Sequence, residues 1–184
     1  QGKITSGPLK GKKGYGLKVS SCTLWAPACT IELFKQTYMP AIQNGGIGRF
    51  ALFTLTDNAE QNDHCASIYH KSLLYLVSNA FEEKPRIPLF REGEAILGME
   101  KFIRDDQDIM KHIGTKKFQW VLSPNNADTG SPDHSTSKSH GDFDDDRATL
   151  HATLARILQE TKVEVTFAIH RSASSLRNRR HRLM

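Results

Sequence analysis

The sequence predicts an α/β fold built on a parallel sheet, and three observations point to it. Short apolar or β-branched runs that end on polar turns alternate with stretches of helical spacing. The connections between the runs are long enough for parallel crossovers. The clearest run, "RFALFTLTD", lacks strict alternation, as a strand buried on both faces should. A chain of 184 residues suits one domain with a sizeable core.

The elements follow in order. Residues 1–16 are rich in Gly and Lys without hydrophobic periodicity and read as a basic leader. "LKVSSCTLWAP" alternates and carries Val, Thr and Trp, which suits a strand ending at Pro27. "CTIELFKQTYMPAI" sets Ile31, Phe34, Tyr38 and Ile42 at helical spacing, with Thr30 as N-cap and Pro40 near the end. After the turn "NGGIG" comes the buried strand, with a polar turn beginning at Asp57. "NDHCASIYHKSLLYLVSNAFEE" predicts one helix through Ile68, Leu73, Leu74, Leu76 and Val77, ending before Pro85. A connection rich in Pro and Gly leads to a helical stretch from about Met99 to Ile113. "KKFQWVLSPN" is the next strand, and the long loop "NNADTGSPDHSTSKSHG" is made largely of turn formers. "DRATLHATLARILQE" predicts an amphipathic helix with Leu150, Leu154 and Ile157 on one side, and "VEVTFAIH" a last short strand. The main domain is thus expected over 17–170, with a basic tail at 171–184.

Composition excludes some classes. With 38% hydrophobic and 24% charged residues, neither disorder nor a membrane class is favoured for the chain as a whole. The longest apolar runs, such as "SLLYLVSNAF", fall short of the ~20 residues a bilayer span needs. The opening lacks the apolar core of a signal peptide and starts on Gln, so a processed or truncated N-terminus is the simplest reading. Cys22, Cys29 and Cys65 form no C-x-x-C pair, which predicts reduced structural thiols and a cytoplasmic location. The net charge of +5 is uneven: the last fourteen residues hold five Arg and no acid, whereas 142–146 is acidic.

In open parallel sheets the carboxyl ends of the strands hold the site. Here those ends carry Asp57 and, through the long loop, His140. A carboxylate that accepts from one imidazole nitrogen fixes the tautomer and leaves the other nitrogen to take a proton from a nucleophile. Each candidate has a plainer reading. Asp57 also suits a turn or a cap, Glu60 and Asp63 are rival acids, and His134 is a rival base. His64, His70 and His151 read as surface histidines. Asp142, Asp144, Asp145 and Asp146 beside His140 invite a metal reading, but the stretch lacks the glycine and terminal glutamate of a calcium loop. Acidic residues opening a helix are the expected alternative, and no metal is predicted. "GPLKGKKGYG" is one residue short of a phosphate loop and follows no strand. "RNRRHR" lacks aromatic interleaving, so a solvated tail is expected rather than a nucleic-acid site.

Taken together, "CTLWAPACT", "FALFTLTDNAEQND", "KSLLYLVSNAFE", "ILGM" and "SHGDFDDDRATL" resemble the C-terminal half of an α/β-hydrolase-fold protein, over roughly residues 17–160. The resemblance implies a partial α/β-hydrolase-like sheet with flanking helices, Asp57 as triad acid and His140 as triad base. It also implies serine-type acyl transfer without a cofactor, on a small-molecule substrate that in this family is most often an ester. The family carries its nucleophile on an earlier G-x-S-x-G elbow. No serine of this chain has glycine at both minus two and plus two, so the elbow and the early strands are missing. The expectation is therefore a hydrolase represented by part of its sequence, or a non-catalytic remnant or binding protein whose basic ends contact a partner. A sheet without its central strands is also expected to self-associate through an exposed edge.

Overall fold

The computed structural model describes residues 10–11, 18–63, 72–81, 93–163 and 165. Three strands, β1 (Cys22–Trp25), β2 (Phe50–Leu55) and β3 (Phe118–Ser123), form a parallel sheet in the order β1-β2-β3. Cys22 lies opposite Phe50, and Phe50 opposite Phe118. All six residues of β2 are buried, which accounts for a sequence apolar at every position but Thr54.

Helices cover both faces, which makes this an α/β fold. On one face α1 (Ile31–Gln43) starts where Thr30 Oγ1 accepts a hydrogen bond from Leu33 N at 3.1 Å, as the spacing of the sequence predicts. Its buried Phe34 meets Phe50 and Phe118 with ring centroids 5.4 and 5.8 Å away, and those two rings meet edge to face at 4.9 Å. Truncation of such a core ring costs about 3–5 kcal/mol. On the other face lies α6 (Arg147–Leu158), where the Arg156 guanidinium stacks on Phe53 and Thr153 Oγ1 accepts from Trp25 Nε1 at 3.2 Å.

The helical faces depart from expectation in three places. The buried residues of α6 are Ala148, Thr149, Ala152, Ala155 and Arg156, while Ile157 is exposed. Phe53, Val121 and Arg156 already fill the space above the sheet, so small side chains let the helix come close. The stretch from Met99 to Ile113 is two helices, α4 (Glu100–Asp105) and α5 (Gln107–His112). Asp106 breaks it: in extended backbone its carboxylate accepts from Asp108 N and Ile109 N, which caps the second helix. The polar turn after β2 is itself a helix, α2 (Asp57–Asn62).

Of the helix expected over 62–83, the described part is α3 (Leu73–Leu76), capped by Ser72 and continued by a π turn at Val77–Phe81. Its Leu74 fixes Gly98, where an added Cβ would sit 2.6 Å from Leu74 Cδ1 and from Pro27 O. Cys65, most of the basic leader, most of "VEVTFAIH" and the tail lie outside the described residues. Cys22 is a free thiol, and burial pushes it up. Among the described residues no helix is long and apolar enough to cross a membrane.

Candidate functional site

The carboxyl ends of β2 and β3 open into two very different connections that meet. After Leu55, Thr56 caps α2 by accepting from Ala59 N, and Asp57 N donates to Glu100 Oε2 at 2.6 Å. That places Asp57 and Glu60 one turn apart. Asp57 turns toward α3: its Oδ1 accepts from Tyr75 OH at 3.0 Å, and its Oδ2 from Gln61 Nε2 at 2.7 Å. Burial, reinforced by this bond to Asp57, pushes the Tyr75 hydroxyl up to about 12. Glu60 turns inward and is 0% exposed.

After β3 the chain passes through a cis Ser123–Pro124 bond into the long loop, which returns to α2 at a 3₁₀ turn, His140–Asp142. His140 is fixed there at two points. Its backbone N–H donates to Asp63 Oδ2 at 2.9 Å, and its Nε2 lies 2.9 and 3.1 Å from the two Glu60 oxygens. The ring is 19% exposed over a carboxylate with no exposure. A carboxylate oxygen accepts, which suits Nε2 as the ring nitrogen that donates to Glu60.

A buried polar cluster shapes the loop. Ser135 Oγ donates to Ser123 Oγ at 2.6 Å and lies 2.7 Å from Thr149 Oγ1, while Ser123 Oγ donates to Ser137 O at 2.7 Å. Asp146, the N-cap of α6, accepts from Thr136 N and Oγ1, Ser137 Oγ, Ala148 N, and Thr149 N and Oγ1. Burial acts to raise the Asp146 carboxyl, but the bonds from Thr136 and Thr149 outweigh it and bring it down to about 2.

Of the residues the sequence singles out, the structure brings His140 together with Glu60 and Asp63 rather than with Asp57. His134 is set apart in a turn, where its Nδ1 is buried without a hydrogen-bond partner. His151 Nε2 donates to Val165 O at 2.6 Å, and His64 and His70 lie outside the described residues. In the acidic block, Asp146 caps α6 and Asp142 Oδ2 accepts from Lys138 N, while Asp144 is exposed. Among the described residues no three His, Cys, Asp or Glu side chains gather as a metal site would require. The buried serines are concealed in the sequence because Ser and Thr in a loop read as turn formers. Their one available signal is the inward alternation of Ser135 and Ser137.

Comparison of the chain with protein-family models, with curated proteins and with solved structures found no match.

Proposed function

We propose that this chain carries the base and the orienting acid of an α/β-hydrolase-like hydrolase, with His140 as general base and Glu60, rather than Asp57, as its acid. The observation that carries this reading is the fully buried Glu60 carboxylate held against Nε2 of a partly exposed histidine, at the strand ends where such a site belongs. Glu60 accepts the Nε2 hydrogen, and Nδ1 takes the proton of a serine hydroxyl as its oxygen attacks an ester carbonyl carbon. The same proton passes to the departing alkoxide, and water repeats the sequence on the acyl-enzyme. In the chymotrypsin triad the acid bonds Nδ1 and Nε2 is the base, so here the ring has the opposite sense. The serine itself has no G-x-S-x-G elbow in this sequence, and that favours the second reading, a binding protein on the same scaffold.

The test uses the complete open reading frame that contains these residues. The expected result is labelling of one serine by a fluorophosphonate probe, abolished by His140→Ala. Hydrolysis of p-nitrophenyl butyrate should fall by roughly 10³–10⁴-fold in Glu60→Gln and by less than about tenfold in Asp57→Asn. Absence of any elbow and of any labelling would leave the binding-protein reading. A larger loss in Asp57→Asn than in Glu60→Gln would return the acid's role to Asp57.

A further inference from the structure

The opposite, amino end of the sheet holds a cavity of about 270 Å³ between the starts of β2 and β3 and the last turns of α6. Its floor is apolar, from Ala51, Pro132 and Ala155, and its polar lining includes Arg49, Lys116 and Arg156. Three cations line a space to which Glu160 contributes one carboxylate. Arg156 is engaged with the protein: it donates to Pro132 O at 2.9 Å, to Gln119 Oε1 and, at 2.6 Å, to Asp133 Oδ1. Arg49 is not so engaged. Its Nε is buried with no hydrogen-bond partner, and no carboxylate among the described residues lies within ion-pair distance of it.

A buried guanidinium N–H without an acceptor has given up its hydration for nothing, and an oxygen anion placed beside it would relieve that cost. Guanidinium groups match the flat, two-oxygen edge of carboxylate and phosphate. The apolar floor adds a demand for a nonpolar body, and the volume limits that body to about one ring or a short chain.

We propose that this cavity binds a small organic oxyanion, a carboxylate or phosphate monoester on an apolar body, with Arg49 and Lys116 holding the anion and Ala51, Pro132 and Ala155 the body. Arg156 walls the site and adds its field, with Asp133 offsetting much of its charge. The site lies at the far end of the sheet from His140 and is independent of the reading of that residue.

The experiment is titration calorimetry of the full chain with phenyl phosphate, benzoate and benzyl alcohol. One saturable site per chain is expected for at least one of the two anions, with Kd roughly 10 μM–1 mM, and at least tenfold weaker binding of benzyl alcohol. The tighter of the two anions distinguishes the phosphate source from the carboxylate source. Affinity should fall at least tenfold in Arg49→Gln, several-fold in Lys116→Gln, and several-fold between about 50 and about 500 mM NaCl. Unchanged urea midpoints show that the variants fold, and the exposed Lys116 provides the test should Arg49→Gln not fold. No saturable binding of either anion up to about 10 mM, equal binding of benzyl alcohol, or affinity indifferent to Lys116→Gln and to salt overturns the proposal.

Discussion

Glu60 and Asp146 are both drawn in at the carboxyl end of the sheet, and they are treated in opposite ways. Asp146 accepts six hydrogen bonds from its own loop and helix, more than a carboxylate's usual four lone-pair sites, some of them shared. Glu60, fully buried, accepts from one ring nitrogen of His140 among the described residues. The donors of Asp146 are backbone N–H groups and short hydroxyls, which fix geometry and have no proton to exchange near neutrality. The partner of Glu60 among the described residues is one imidazole nitrogen, on a ring that is itself partly exposed. A carboxylate saturated with donors is an anchor, whereas one that leans on a single histidine stakes its burial on that one contact. One loop links the two, since Asp146 braces Thr136 and Ser137 just before His140.

The largest expected effect breaks the Glu60 side. His140→Ala leaves a buried carboxylate without a donor, and removal of one partner from such a pair costs about 3–5 kcal/mol. The partial exposure of the ring lets water in, so about 3 kcal/mol is expected from urea melts at pH 7. Adding Glu60→Gln to His140→Ala should recover part of that loss, because the buried charge goes too. A loss under about 0.5 kcal/mol in His140→Ala would mean that Glu60 has another donor and that the contrast with Asp146 is false.

The Asp146 side should yield less, because its donors can regroup. Asp146→Asn keeps a side chain that caps well but gives up the charge and one acceptor oxygen, at an expected cost of about 2 kcal/mol. The pH dependence carries the sign. The folded carboxyl lies at about 2 against an ordinary 3.8, so the unfolded chain binds the proton more readily. The stabilisation is complete above about pH 5 and is lost as pH falls through 4 toward 2; with the group half-buried it amounts to about 1–2 kcal/mol. The slope of stability between about pH 5 and pH 2.5 should flatten in Asp146→Asn, and an unchanged slope would show that another acid carries it.

How much of this is legible in the sequence follows from the range of the forces involved. β2 and β3 are legible because burial on both faces writes an apolar run into consecutive residues, and α1 because Thr30 and the Ile31, Phe34, Ile42 spacing are local signals. Asp146 is legible as an acid at a helix start, though not as the brace of Thr136 and Ser137. The partner of His140 is not legible. Asp57 and Glu60 sit three residues apart, and only the presence of α2, hidden in what reads as a turn, sends one toward Tyr75 and the other toward His140. The cavity is hidden for the same reason: Arg49, Lys116 and Arg156 are far apart in the chain and meet only through parallel pairing and the return of α6.

A third pair of carboxylates gives the comparison its lower end. Lys35 Nζ lies 2.6 Å from Asp106 and 3.3 Å from Asp108. Asp106 is mostly buried and caps α5, but the Asp108 side chain is 69% exposed. The bond from Lys35, followed by the attraction of its charge, holds the Asp108 carboxyl below the usual range. In open water such an attraction is offset by hydration and by the entropy of holding two side chains together. Asp108→Asn should therefore leave the urea midpoint within the scatter of replicate melts, at low and at high salt alike. If it instead cost as much as Asp146→Asn, contact alone would rank these carboxylates and the number of buried donors would not. Similar losses in Asp106→Asn and Asp108→Asn would point the same way, since the two share Lys35 and differ in burial and in capping.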